Sequence, residues 1–508
     1  MRDAATITRA EHDAAVAERD AKIARLEERV AKLQHALWGR RSEKQPVSPD
    51  APFQSALFGE ECVDLPPDED DSPEPAEQQE STTAGKKPRR KPRFRGDVER
   101  KVIDIELPES ERQCSCCGET MASIGFETAE RAHYVPARME IHEERRHKYA
   151  CKCKEGGVTT APPTPTLFPK SRVTDETRVQ VIVSKFVDHL PYYRQSAILR
   201  RLGFEISDAT LGRWGIEAAD RLAPIIIAMH EELLSSPVLQ ADETTLPVLK
   251  TEKQKPGAHR GWLWGYAIPR GSIVFDYTRT RAQNHPLGFL AGYEGLLQVD
   301  RYEGYNAVTR RDEVIDVACW AHARRRFVEA ERTNGRKARP VLEVIGRLYA
   351  VEKRARDSGI PPDERSTLRK AESVPILEEL DAMLRDLAVD VLPSSALGDA
   401  VLYTLRHWPA LTVYVDHGLA EIDNNLIENS MRPIALGRKN WLFAGSELGA
   451  EAAAILYSLT ESCRRLGIDP HEYLLDVMER LAEIDPTDGD AIRALTPARW
   501  KAERAIEA

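Results

Sequence analysis

No run of about eighteen apolar residues occurs anywhere in this 508-residue chain, which excludes a membrane-spanning helix. Its N-terminus is charged from the second residue and lacks an apolar stretch, so no secretory signal is expected. Positive charge is not in excess either. Lys and Arg number 72 against 82 Asp and Glu, a formal net charge of −10, which on its face argues against a nucleic-acid partner. The charge is segregated, however. Residues 60–80 hold ten acidic side chains and no basic one, whereas residues 86–101 are strongly basic. Local potential decides whether phosphate is attracted, so the acidic balance does not exclude DNA. Cysteine is sparse and uneven: of eight, five fall between Cys114 and Cys153, while Cys62, Cys319 and Cys463 stand alone. Clustered thiols in a large chain without a signal point to a cytoplasmic, metal-binding protein rather than a disulfide-stapled one.

What is present begins with a heptad seam. Residues 11–38 contain neither Pro nor Gly; Val16, Ile23, Val30 and Leu37 recur at one heptad position, Leu26 and Leu33 at the other, with Arg19 interrupting the second series. β-Branched residues at a and Leu at d favour a parallel dimer, and a lone helix of this length is marginal in water. Residues 1–44 are therefore expected to be a coiled-coil zipper giving a homo-oligomer, with packing on the chain's own globular part as the alternative. Residues 45–85, rich in Pro, Asp, Glu and Gln, read as a disordered acidic linker. Residues 86–101 form a basic arm whose prolines prevent a helix, suited to phosphates or a minor groove; a solvated charge run is the plainer alternative.

Residues 102–165 read as a zinc-ribbon-like domain. Cys114-Ser-Cys-Cys117-Gly resembles a zinc knuckle, and Cys151-Lys-Cys153 follows some thirty residues later, a separation suited to tetrahedral zinc. The second half is C-x-C, with Lys154 where a cysteine would fall. Cys114, Cys117, Cys151 and Cys153 are the chosen ligands, with Cys116 as a substitute. Residues 174–234 read as a helix-turn-helix region. A helix from Thr177 is broken at Asp188–Pro191, a short basic helix spans Tyr192–Leu202, Gly203 permits a turn, and Ser207 caps a second helix through Leu211 and Trp214. Any small helical bundle reads the same way.

Residues 235–445 carry the candidate chemistry. Three strand patterns, at Pro237–Pro247, Trp262–Ile268 and Ser272–Thr278, read as a meander. A helix around Ala282–Tyr293 follows, then strands Leu296–Asp300 and Val314–Cys319. Three antiparallel strands followed by helix–strand alternation is the order of a ribonuclease H-like core. Such a core sets carboxylates at the end of the first strand and on the fourth side by side, which selects Asp242 and Asp300. Two carboxylates that close repel each other. Two magnesium ions relieve that and activate a hydroxyl against a phosphodiester. Residues 323–415 look like an all-helical insertion, and 446–508 a C-terminal helical region. Beyond the insertion, Glu428 heads a helix with Arg432 on its face, a cation for phosphate. A capping box with Asn425 is the competing reading. Pro433 is expected to end that helix, leaving Lys439 on the next loop. Cys319 and His322 read as strand-end packing beside a basic helix rather than as a second metal site.

These stretches resemble the large transposase of the insertion sequence 66 family. The resemblance rests on Asp188-His-Leu-Pro-Tyr-Tyr-Arg-Gln195, Ala241-Asp-Glu-Thr244, Cys319-Trp-Ala-His-Ala-Arg-Arg-Arg-Phe327, Asp423-Asn-Asn-Leu-Ile-Glu-Asn-Ser-Met-Arg-Pro433, Gly437-Arg-Lys-Asn-Trp-Leu-Phe443 and Leu495-Thr-Pro-Ala-Arg-Trp500. It implies a multidomain α/β protein: a ribonuclease H-like catalytic core with an all-helical insertion, preceded by coiled-coil, zinc-ribbon-like and helix-turn-helix modules. It implies a DDE transposase using Asp242, Asp300 and Glu428 on two Mg2+ ions, or Mn2+, with a structural Zn2+. Such enzymes hydrolyse a phosphodiester at the transposon end and use the freed 3′-hydroxyl to attack target DNA. Arg432, Lys439, Arg438, Arg324, Arg325, Arg194 and Arg213 are the DNA-binding candidates. Expected partners are the inverted ends, target DNA and small accessory proteins of the same element; the expected location is the cytoplasm, at the nucleoid. A nuclease without strand transfer, or a transposase-derived DNA-binding regulator, is the alternative.

Overall fold

In the computed structural model the described residues are 137–150, 158–169, 171–249 and 258–507, with Val102 and Cys116 besides. The zipper, the linker, the basic arm and the thiols Cys114, Cys117, Cys151 and Cys153 lie outside them. Lys148–Ala150 (β1) and Val158–Thr160 (β2) pair antiparallel. Three helices follow: α1 (Asp175–Phe186), α2 (Tyr192–Arg201) and α3 (Asp208–Leu234). Gly203, at φ +89°, turns the chain between α2 and α3. Ser207 Oγ then accepts the Thr210 N–H at 3.2 Å, capping α3. α3 is far longer than the short second helix expected. Its apolar stripe, Leu211, Gly215, Ala218, Leu222, Ile225 and Met229, continues for several turns and is buried in the core.

Strands β3 (Val238–Leu249), β4 (Ala258–Ala267) and β5 (Ile273–Thr278) form an antiparallel meander. After α4 (Asn284–Phe289), β6 (Gly295–Val299) pairs parallel with β3. After a 3-10 turn and α5 (Asn306–Thr309), β7 (Val314–Ala318) pairs parallel with β6. The sheet order is β5-β4-β3-β6-β7. Side-chain alternation divides the sheet between two cores. Leu239, Ala241, Leu297 and Val299 face a core shared with α1, α3 and the C-terminal helices. Val238, Leu296 and Val317 face the second core, built from α6 (Trp320–Asp357), α7 (Pro362–Asp390), α8 (Ala396–Arg406) and α9 (Trp408–Thr412). α6 is kinked at Asn334, whose backbone is non-helical.

The helices of this second core end in a strap, residues 416–424, that leads to α10 (Asn425–Trp441). Arg369 of α7, fully buried, holds the strap. It pairs with both carboxylate oxygens of Glu352, also buried, at 2.8 and 2.7 Å, and donates to the carbonyls of Tyr414, His417 and Ala420 at 2.8, 3.0 and 2.9 Å. At Gly418 the strap presses on the start of α7: a Cβ there would lie 1.7 Å from the Pro362 carbonyl oxygen. Gly418→Ala is therefore expected to cost ~1–3 kcal/mol in urea unfolding, as overpacking against backbone does. An unchanged midpoint would contradict that contact.

α10 runs through Pro433 to Trp441, so the expectation that Pro433 ends it is corrected. The amide that proline lacks would have bonded the Asn429 carbonyl. Arg464 takes its place there, its guanidinium 3.4 Å from that oxygen. α11 (Glu447–Leu466), α12 (Pro470–Glu483), α13 (Gly489–Ala494) and α14 (Pro497–Glu507) complete the chain. α11 lies along β5. The N–H groups of Ile273 and Phe275 donate to Ser462 Oγ and Ser458 Oγ at 2.9 and 2.8 Å.

Candidate active site

The β3–β6 register pairs Gln240 with Gln298, and β6–β7 pairs Gln298 with Val317. Carried two residues on, it aligns Asp242, Asp300 and Cys319 in a row on one face. Asp300 and Cys319 follow the last residues of β6 and β7, but β3 continues to Leu249, so Asp242 lies inside its strand, just past its pairing with β6, and not at the strand end expected. Gln240 Nε2 donates to Gln298 Oε1 at 2.9 Å, one step back on that face. The two glutamines also grip the strap. Gln298 Nε2 donates to the Glu421 carbonyl at 2.8 Å and Gln240 Nε2 to the Asp423 carbonyl at 3.1 Å. Asn424 Nδ2 donates to the Ala241 carbonyl at 2.9 Å, and its N–H reaches Cys319 Sγ at 3.2 Å. The side chain of Glu421, buried, is held from outside by Arg270 at 3.1 Å and Arg365 at 3.5 Å.

That grip fixes the first turn of α10, and with it Glu428. Asn424 is the N-cap, yet its side chain makes no cap bond because Ala241 engages it. Asp423 instead accepts from the Asn425 N–H at 3.1 Å and from Asn425 Nδ2 at 3.0 Å. Glu428 is only 7% exposed and neither carboxylate oxygen has a hydrogen-bond partner. It does not reach back to the helix start, so the capping-box reading does not describe it. Its neighbours are His322 Nδ1, 3.6 Å from Oε1, and an Arg325 guanidinium nitrogen, 3.5 Å from Oε2.

Asp242 senses this gathering of acids. Burial, then Glu243, Asp300 and Glu428, push its carboxyl well above the usual carboxylate range, against the Glu243 N–H that its Oδ1 accepts at 2.9 Å. Asp300 Oδ1 accepts the Tyr302 N–H at 2.9 Å. Four carboxylates influencing one another and a buried acid without hydrogen bonds are what a bound divalent cation would relieve; Asp242, Asp300 and Glu428 are hard oxygen donors suited to magnesium. Adjacent Glu243 points to the opposite face. Arg281 Nε donates to it at 2.9 Å and the Tyr305 hydroxyl at 2.7 Å. Burial still pushes it to about 7.

The other expected residues divide into groups. Arg325 lies at Glu428, whereas Arg324 is exposed on the same helix. Arg432 is one turn beyond Glu428 on α10. Lys439, exposed, is about 16 Å along the helix on nearly the same face, so it belongs to the helix rather than a loop. Arg438 turns away and binds the carbonyl and hydroxyl of Thr245. Arg194, exposed on α2, bonds Asn440 Oδ1 at 3.3 Å, bringing α2 to the end of α10. Arg213, exposed on α3, bonds Thr210 Oγ1 at 3.3 Å. Cys319 is buried just past β7, as strand-end packing requires, and it and His322 also meet a third donor. Their donor atoms lie within 4.8 Å of each other and of Glu428. The Gln240–Gln298 clamp was not anticipated; the repeated Gln-x-Asp at Gln240–Asp242 and Gln298–Asp300 is the signal that marks it.

The description "Transposase IS66 family" matches residues 170–452. "Zinc-finger binding domain of transposase IS66" matches residues 111–154, "IS66 C-terminal element" 458–498 and "Transposase C of IS166 homeodomain" 25–110. The relatives include three proteins of Sinorhizobium fredii. "Uncharacterized protein y4jD" is 33% identical over 80% of this chain and 81% of its own length. "Uncharacterized protein y4hP" is 30% identical over 82% and 78%, and "Uncharacterized protein y4qI" 32% identical over 82% and 79%.

Proposed function

We infer the function from one premise: the chain belongs to the Transposase IS66 family. A transposase role follows from membership. The finer reading is a DDE transposase with a ribonuclease H-like core, acting on DNA by cleavage at transposon ends and strand transfer into a target. Most support comes from the strand register, which aligns Asp242 with Asp300, beside a buried Glu428 whose oxygens lack hydrogen bonds.

In this reading Asp242, Asp300 and Glu428 hold two magnesium ions, which when bound activate an attacking hydroxyl and steady the leaving oxygen. The chain's own residues do the rest. The Gln240–Gln298 clamp ties the strap that leads into α10 to β3 and β6, which positions Glu428 before a metal binds. Arg325 is a cation beside Glu428 for a phosphate oxygen, and Lys439 and Arg194 carry the DNA backbone away along α10. α2 and α3 recognise the element's ends, the cysteines of residues 111–154 hold zinc, and the N-terminal heptads join two chains. The basic arm adds phosphate contacts, and the accessory proteins of the element assist.

The test gives the full chain pre-cut end DNA, a target plasmid and magnesium. Joined product is expected. Cleavage without joining would make the protein a nuclease, and end binding without either reaction a DNA-binding regulator.

Proton and metal compete for Asp242. An acid whose folded pKa is raised keeps its proton after the unfolded chain has lost its own, so metal-free stability falls as pH rises through that window. Magnesium is expected to compensate where the proton has left. The gain in Tm on adding Mg2+ should be larger near pH 8 than near pH 5, by thermal denaturation. An equal gain at both would contradict the competition.

A further inference from the structure

Cys319, His322 and Glu428 combine a thiol, an imidazole and a carboxylate, a donor set different from the oxygens that magnesium prefers. They come from three places. Cys319 follows β7 at the N-cap position of α6, His322 lies in the first turn of α6, and Glu428 is on α10. His322 Nδ1 is buried without a hydrogen-bond partner, as are both oxygens of Glu428. In a tetrahedral zinc site, bonds of about 2.0–2.3 Å set donors about 3.3–3.7 Å apart. The 3.6 Å between His322 Nδ1 and Glu428 Oε1 already matches that edge. Arg325 sits on the other oxygen, Oε2, so Oε1 is left for the metal. Cys319 Sγ receives the Asn424 N–H at 3.2 Å and a further backbone N–H from His322, and keeps a lone pair for a metal once its proton is released to solvent.

We propose that Cys319, His322 and Glu428 form a second, thiophilic metal site that takes Zn2+ and, by taking Glu428, inhibits the magnesium-dependent reaction. Three protein donors leave the fourth position to water, the open arrangement of a zinc site rather than a closed structural one. Magnesium has no use for a thiol, so the two ions divide along donor type and compete only for the shared carboxylate. The inhibitory half rests on the reading of Glu428 as catalytic; metal binding at the cluster does not.

Two measurements separate those halves, both on the full chain. The first titrates Co2+, a spectroscopic substitute for zinc, and follows thiolate-to-cobalt absorption. The N-terminal cysteines contribute equally to every variant, so the difference between wild type and Cys319→Ser isolates this site. Wild type is expected to show one additional thiolate-bound cobalt. His322→Gln, at a partly exposed position, should bind on the order of tenfold or more weaker at this site, serving as a second variant if Cys319→Ser fails to fold. Superimposable titrations of wild type and both variants would overturn the site. The second adds Zn2+ to the Mg2+-supported reaction. Wild type should be inhibited at zinc concentrations on the order of tenfold lower than His322→Gln requires. Equal inhibition of the two would overturn the sharing of Glu428. If the protein shows no DNA cleavage or joining at all, the proposed function fails, while the cobalt titration still decides the site.

Discussion

Asp242→Asn is expected to lower end cleavage and strand transfer by about 10³-fold, roughly 4 kcal/mol of barrier, while DNA-end binding in a gel shift stays intact. The substitution keeps shape. The amide oxygen can still accept the Glu243 N–H that Asp242 Oδ1 accepts now. What it removes is the negative charge through which β3 would hold a divalent ion. It also removes a charge that burial first, and then Glu243, Asp300 and Glu428, disfavour at this position. The same variant should therefore melt higher than wild type in the absence of magnesium, an exchange of activity for stability typical of active-site acids. Normal joining by Asp242→Asn would sink the triad. A lower metal-free Tm would show that repulsion among these acids is not what the folded chain carries.

Arg369→Met is expected to destabilise the fold by ~3–5 kcal/mol in urea unfolding, because it leaves the buried Glu352 charge unpaired. Two strap carbonyls, of His417 and Ala420, and that of Tyr414 just before the strap lose their donor at the same time. Replacing both partners, Arg369→Met with Glu352→Leu, should recover part of the loss, since an apolar pair leaves no stranded charge. The strap carries Glu421 and Asp423 to the two glutamines, so the single variant should also lose activity beyond its unfolded fraction. A single variant as stable as wild type would mean that Arg369 does not hold the strap.

Much of the sheet can be read locally. The apolar positions of Val238–Leu239 and Leu296–Leu297 are followed by alternation with polar ones, Gly271 marks the reversal from β4 to β5, and Gly292 the passage from α4 to β6. Asp300 is legible as a strand-end acid for that reason, whereas β3 runs on past Asp242 to Leu249. The parallel register that aligns the two acids is not, because pairing depends on which strands become neighbours, and only the assembled order β5-β4-β3-β6-β7 supplies that. Glu428 is harder still. Its position depends on Gln298 reaching Glu421 across 123 residues of sequence, and on Arg369 meeting Glu352 from a different helix. Pro433 misleads for a similar reason. A local rule ends the helix there, and the guanidinium that replaces the missing amide comes from Arg464, on another helix. Cys319 and His322 read as strand-end packing until Glu428 arrives beside them.

The serine hydroxyls of α11 have a consequence for how the protein can be cut. β5 is an outermost strand, and an outermost strand with bare amides is a template on which a strand of another molecule can add. Ser458 and Ser462 occupy the amides of Phe275 and Ile273, and Ser462 Oγ also returns a bond to the Ile273 carbonyl at 3.0 Å. A fragment ending before Glu447 would keep the three carboxylates and lose this cover. It would tend to aggregate through β5, however complete its catalytic residues, so the C-terminal helices act as a built-in chaperone for the sheet.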